Sequence, residues 1–437
     1  MRRFQQPAGF FYGYVILALC FINMIFQRGV MGSFGVFYVA LLEEFHWSHG
    51  TVASIASVNA IVYALVCPLI GWAFDRYGPR VLMPLGGGLI GLGLLLSGLS
   101  RSIGELYFSY GLLAGVGQAG LGFVTQSALI SHWFLRRRAT AVGIATMGMG
   151  LGVLIIVPLA QILIAHVGWR TALMVLSGLG FFIVLPINAL LQRGSPADVG
   201  QHPDGTPAIA AHDSIPSPTT VPPRSRDWSM GSVFRSFPYW AMTLNHLALG
   251  IGNSMFYTHV VAYLVLQGFD RLLSASILGL VGLTRIGGTV LWGYVSDRLG
   301  RSRAYAMATM INALGLLCLL AITPDSAPAL PYAFALLFGI GHGAGNPTSA
   351  AAAADIFAGG RIGTIFGFLE ISFGLGMALG AWLGGFAYDL TGSYRWAFSA
   401  GLSSFIISYL AIQLSMAWHH RDISRARAAN LAARKIP

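Results

Sequence analysis

The chain has 437 residues, of which 55% are hydrophobic and only 9% charged, with a formal net charge of +11. A soluble domain carries charge on roughly a quarter of its residues, so this composition excludes one, and the apolar residues run in long stretches instead of periodic stripes. The positive excess lies in short connections between those stretches, which points to membrane topology and away from nucleic acid.

A helix needs about 20 apolar residues to cross the hydrocarbon of a bilayer. In chain order, twelve segments meet that length, near 12-41, 51-73, 81-99, 104-130, 140-164, 170-191, 239-266, 273-295, 303-322, 330-353, 363-386 and 395-417. The Met1-Arg2-Arg3 start runs into an apolar segment longer than a signal-peptide core, so no cleavable leader is expected. Most connections are short. The exception, 193-236, is rich in Pro, Ser and Asp and lacks helical periodicity. The expected organisation is an N-terminal six-helix bundle over 1-192, a central loop over 193-236, and a C-terminal six-helix bundle over 237-437 with a basic tail. Cys20, Cys67 and Cys318 all fall inside apolar runs and read as small hydrophobes, with neither disulfide nor zinc-ligand spacing.

Placing the basic residues on this topology tests it. Twenty lie on the side of the termini and the central loop, four (Arg101, Arg170, Arg271 and Arg395) on the other, and two inside helices, which accounts for all 26. The positive-inside rule then predicts cytoplasmic termini and a cytoplasmic central loop, in a cell inner (plasma) membrane.

The sequence also repeats itself. Gly71-Trp72-Ala73-Phe74-Asp75-Arg76-Tyr77-Gly78 follows the second segment and Gly293-Tyr294-Val295-Ser296-Asp297-Arg298-Leu299-Gly300 the eighth. Equivalent places in two halves are expected of a transporter built from related six-helix units. The reading is a small Gly (Gly71, Gly293) ending each helix, then Asp beside Arg in a tight turn, so that Asp75, Arg76, Asp297 and Arg298 form gating loops that pair across the halves; an ordinary charged turn is the alternative.

On these residues the chain resembles the major facilitator superfamily over nearly its whole length. That resemblance implies twelve transmembrane helices in two bundles that rock about a central site. More narrowly, it resembles the bacterial branch containing monocarboxylate transporters and oxalate:formate antiporters. The residues that carry this are Phe11-Tyr12-Gly13-Tyr14, Trp133-Phe134-Leu135-Arg136-Arg137-Arg138-Ala139, Pro196-Ala197-Asp198-Val199-Gly200 with Pro203-Asp204-Gly205, and Asp389-Leu390-Thr391-Gly392-Ser393-Tyr394.

Ionisable groups at membrane depth are costly and mark pathways, and three stand out. Arg285, central in the eighth segment, can survive only by facing water, a partner or a ligand, and its guanidinium suits a carboxylate in a bidentate fork. The resemblance agrees, because those families use an arginine in helix 8. Arg28 is midway along the first segment, after Asn23 and Gln27, with Gly29, Gly32 and Gly35 leaving room beside it; were the helix to end near Phe26 it would snorkel outward instead. Eukaryotic monocarboxylate carriers have a lysine about one turn later, near Gly32 here. Glu370 in the eleventh segment would be ion-paired or protonated, and switching between the two couples protons to substrate; oxalate carriers have a lysine in this helix.

Among weaker candidates, His259, His342, Asn346, Asn253, Tyr257, Gln118 and Asn59 are potential substrate contacts, and His246 reads as a histidine satisfied by backbone. Interhelical hydrogen bonding is the alternative for the amides and the tyrosine. Glycines clustered in the third, fifth and eleventh segments, including Gly86-Gly87-Gly88 and Gly148, Gly150 and Gly152, predict close helix contacts able to slide.

The expected function is secondary transport of small organic anions by alternating access, as proton-coupled monocarboxylate symport. An anion exchanger acting on dicarboxylates and monocarboxylates is one alternative and a non-transporting anion sensor another. The expected partners are a small carboxylate, protons and lipid, with no nucleic acid. No cofactor, metal or enzymatic activity is expected, since the sequence has no nucleotide-binding glycine loop, zinc-ligand constellation or nucleophile triad.

Overall fold

The computed structural model describes residues 10-135, 138-205, 230-327, 329-357 and 362-433, almost all of them helical. Residues 1-9, Arg136, Arg137, Arg361, most of the central loop and the last residues of the basic tail lie outside the described residues, as do the side chains of Asp297 and Asn346.

Among the described residues, ten helical stretches are long and apolar enough to cross a membrane. They resolve into more rods than that, because Thr140–Leu191 turns sharply at Gly168, where φ is 79° and only glycine is at ease. In chain order the rods are α1 (Gly13–Phe45), α2 (His49–Tyr77), α3 (Pro79–Leu99), α4 (Ile103–Trp133), α5 (138-167), α6 (169-191), α7 (Phe237–Leu266), α8 (Arg271–Leu299), α9 (Arg301–Leu320), α10 (Ala329–His342 with Gly345–Ile356), α11 (Ile362–Thr391) and α12 (Arg395–Ala433). These match the twelve apolar segments. Several run about one turn past the expected ends, α1 to Phe45, α2 to Tyr77, α8 to Leu299 and α11 to Thr391, and α12 runs much further, into the basic tail. Large apolar side chains such as Leu69, Phe182 and Met310 point outward from the rods, as an oily solvent permits.

The repeated loops correct one expectation. Gly71 and Gly293 do not end their helices, which continue to Tyr77 and Leu299. The stops are Gly78 (φ 76°) and Gly300 (φ 88°), in the same left-handed region, so the two turns share one backbone shape. Asp75 and Arg76 therefore sit exposed on the last helical turn. The guanidinium of Arg76 lies 5.4 Å from the Trp72 ring, and that of Arg298 4.4 Å from the Tyr294 ring, contacts confined to their own helices.

Polar side chains and glycines fasten the rods. Asn23 of α1 and Asn188 of α6 exchange amide hydrogen bonds of 2.9 and 2.7 Å, which leaves no buried amide unpaired between them. At the α1–α5 crossing, a Cβ on Gly152 would run into the Ile25 carbonyl, and at α5–α8 one on Gly150 would run into that of Gly282. Only glycine allows backbones this close, and the second crossing joins first-half to second-half helices.

Among the described residues, the hydrogen bonds and ion pairs between the halves cluster away from the central loop. The Asp389 carboxylate, at the end of α11, accepts from the backbone N–H of His49 (2.8 Å) and of Gly50 (2.7 Å), the first donors of α2. The Tyr38 and Tyr394 hydroxyls meet His49 Nδ1 at 3.0 and 2.6 Å and each other at 3.0 Å. Ser57 donates to the Ala378 carbonyl at 2.7 Å, and Arg271 forks onto Glu43.

Candidate functional site

A helix as long as α1 carries Arg28 about midway between its ends, so the guanidinium cannot reach either helix terminus. It faces a small, partly open cavity lined by Met31 and Phe34 of α1, Ala56 and Asn59 of α2, Tyr110 of α4, and Ser254, Tyr257 and Thr258 of α7. The cavity is thus built from both halves of the chain. A Cβ on Gly35 would come within 2.8 Å of the Tyr257 carbonyl, so the glycine is what allows α1 and α7 to close over it.

The guanidinium lies 4.9 Å from the centre of the Tyr257 ring, a cation–π approach. One terminal nitrogen is 3.3 Å from the Met31 sulfur, a weak acceptor, and the buried Nε has no hydrogen-bond partner. The Tyr257 hydroxyl lies close enough to the Arg28 guanidinium to interact with it electrostatically and through a loose side-chain hydrogen bond, one that falls short of good geometry. Arg285 of α8 does not line this cavity; it is half-buried and within electrostatic range of Arg28. No ion pair involves Arg28 or Arg285 among the described residues. Two cations at helix mid-depth without a carboxylate form a site of strong positive potential, and an anion is the natural way to neutralise it.

Glu370 lies across the interface. It is half-buried on α11, forms no hydrogen bond or ion pair among the described residues, and is in electrostatic range of Tyr63 and Cys67 of α2. Tyr63 is also in range of Arg28, so this phenol feels both the acid and the cationic cavity. Nothing in the spacing of Tyr63 marked it in the sequence; helix packing alone selects it.

The remaining candidates separate. Asn253, buried with an unpartnered Oδ1, lies one turn from Tyr257 on α7, and the His342 ring of α10 is tilted against that of Tyr257 with ring centres 6.1 Å apart. Gln27 is buried beside Arg28 without lining the cavity. Gln118 is buried with both amide atoms unpartnered, also outside the lining. Asn59 spends its amide on the Tyr110 carbonyl (2.8 Å), so it holds α2 to α4 as well as lining the cavity. His246 is within 2.9 Å of the Met242 carbonyl, the backbone-satisfied arrangement. His259 is placed elsewhere: its Nε2 meets the Ala381 carbonyl at 2.8 Å and its ring packs edge-on against Tyr38, inside the plug that joins the halves. The side chain of Asn346 lies outside the described residues.

Comparison with known proteins agrees with this architecture. The Major Facilitator Superfamily profile matches residues 17–344 and 282–434. Monocarboxylate transporter 13 of Bos taurus is 30% identical over 397 residues, spanning 91% of this chain and 87% of that protein. Monocarboxylate transporter 11 of Homo sapiens is 27% identical over 404 residues, spanning 90% and 81%. Among solved structures, a bacterial homolog of the human lysosomal transporter Spinster, in an inward-facing and unoccupied conformation, superposes with a TM-score of 0.63 at 17% identity, covering 95% of this chain and 97% of that one. A chain of apolar rods that matches the superfamily profile along most of its length belongs to the Major Facilitator Superfamily and is a multi-pass membrane transporter, not an enzyme.

Proposed function

We propose that this transporter carries small monocarboxylates together with protons, by alternating access between two six-helix bundles, 1-192 and 237-437, joined by a cytoplasmic loop over 193-236. The observation that carries the reading is the Arg28 cavity: a guanidinium at mid-depth, walled by both halves, with an unpartnered Nε and no acid paired to it. A carboxylate supplies two acceptor oxygens to such a group and cancels its charge. Arg285 adds positive potential, and Tyr257, Asn253 and His342 lie close enough to contact the rest of the substrate. The names of the curated relatives favour the same substrate class.

Proton coupling is assigned to Glu370, whose lack of a fixed partner leaves it free to change protonation as the halves move, with Tyr63 relaying its charge state to Arg28. The contacts between the halves, gathered away from the central loop, correspond to a state open toward that loop. With the charge bias placing the loop and both termini in the cytoplasm of an inner (plasma) membrane, that state faces inward. The gating-loop residues Asp75, Arg76, Asp297 and Arg298 would engage across the halves only in the opposite state. The proximity of two arginines favours one second reading, exchange of a dicarboxylate for a monocarboxylate.

The test is flux of labelled mono- and dicarboxylates into reconstituted vesicles, with and without an imposed pH gradient. Symport predicts uptake that rises with an inward proton gradient, whereas exchange predicts dependence on internal substrate and indifference to pH. Hydrogen bonds to charged groups contribute about 1.5–3 kcal/mol each, so losing a forked pair in Arg28→Ala should cut flux at low substrate roughly a hundredfold. Arg285→Ala should weaken it as well. Normal transport by well-folded Arg28→Ala overturns the assignment.

A further inference from the structure

A second, small cavity opens within the C-terminal helices between α7, α9, α10 and α12. It is walled by Leu249 and Phe405 and contains Asn312 and His342. Both polar side chains are almost completely buried, 3% and 4% exposed, and each presents an unpartnered atom, Asn312 Oδ1 and His342 Nε2. A buried polar atom without a partner is costly, so two in one cavity indicate that something polar is meant to fill it.

The two cavities are not independent. Leu249 lines the second and Tyr257 the first, with Asn253 exactly between them in sequence; at four-residue spacing all three share one face of α7. Eight residues of helix span about 12 Å. The His342 ring of the second cavity is centred 6.1 Å from that of Tyr257 in the first, which lies 4.9 Å from the Arg28 guanidinium, and Arg28 Nε, Asn253 Oδ1, His342 Nε2 and Asn312 Oδ1 are all unpartnered. A two- or three-carbon acid held at Arg28 would leave the second cavity untouched.

We infer that the substrate is an elongated carboxylate with an uncharged hydrogen-bond donor at its far end, such as a hydroxyl or primary amide, which the Asn312–His342 cavity receives. This rests on the carboxylate reading above and makes Asn312 a specificity residue. The far end is neutral because the cavity lining offers no acid for an amine and no arginine or lysine for a second carboxylate. Arg28 and Arg285, both within electrostatic range of His342, oppose a cationic end group; a second carboxylate, which they would attract, has no arginine or lysine in the lining to pair with.

The test compares binding of propionate, hexanoate, 6-hydroxyhexanoate, 6-aminohexanoate and adipate to the purified full-length transporter by calorimetry. Wild-type protein should bind 6-hydroxyhexanoate about tenfold more tightly than hexanoate, the usual effect of satisfying one buried acceptor, and more tightly than the other three. Asn312→Ala and Asn312→Leu should reduce that preference to less than twofold. Equal binding of hexanoate and its hydroxy derivative by wild type overturns the inference, as does tighter binding of adipate, 6-aminohexanoate or propionate, even if the variants fail to fold. Arg28-dependent binding of hexanoate without a hydroxyl preference removes only this inference. Failure of every carboxylate to bind removes the proposed function with it.

Discussion

Asp389→Asn is the substitution that most directly probes how the two halves hold together. The carboxylate accepts from the N–H groups of His49 and Gly50 at 2.8 and 2.7 Å. Those donors open α2 and have no acceptor inside their own helix. Hydrogen bonds to a charged group contribute about 1.5–3 kcal/mol each, and a negative charge at a helix N-terminus about 0.3–1 kcal/mol. Asparagine keeps one acceptor oxygen, loses the charge, and turns an NH2 group toward a donor. Partial exposure of the site places the loss near the low end, at about 2 kcal/mol, or roughly thirtyfold in the balance between closed and open forms of this face. The conformational readout is the distance between spin labels at Arg101→Cys and Asp325→Cys, exposed positions in different halves, measured in a cysteine-free background. A population with longer separations should grow in Asp389→Asn, and Asp389→Glu should restore part of the short-distance population. An unchanged distance distribution in Asp389→Asn would refute the view that this carboxylate holds the face shut.

Other substitutions test the packing and the coupling. Asn188→Leu strands the Asn23 amide, which should destabilise the protein by about 1 kcal/mol; the melting temperature should fall, and Asn23→Leu in the same chain should recover part of the loss. Gly150→Val forces a branched side chain against the Gly282 carbonyl and Ile286, so about 1–3 kcal/mol of overpacking should appear as a lower melting temperature and slower transport. Glu370→Gln should leave carboxylate binding within about twofold while abolishing the acceleration of uptake by an inward proton gradient; retained acceleration in vesicles would remove Glu370 from the coupling.

The number and order of the rods were legible in the sequence because hydropathy and charge bias are sums over neighbouring residues, and the bilayer imposes a length on each segment. The same reasoning picked out Arg28, Arg285 and Glu370, since an ionisable side chain in an apolar run is conspicuous without any knowledge of its neighbours. It misjudged Gly71 and Gly293 because a glycine looks alike whether it ends a helix or eases a crossing; the backbone at Gly78 and Gly300 decides. Tertiary structure alone brought Tyr63 into range of both Glu370 and Arg28, packed His259 against Tyr38, and set the His342 ring beside that of Tyr257. Those relations join residues far apart in the chain, and they depend on which helix faces press together, a property that no local pattern of apolar and polar residues encodes.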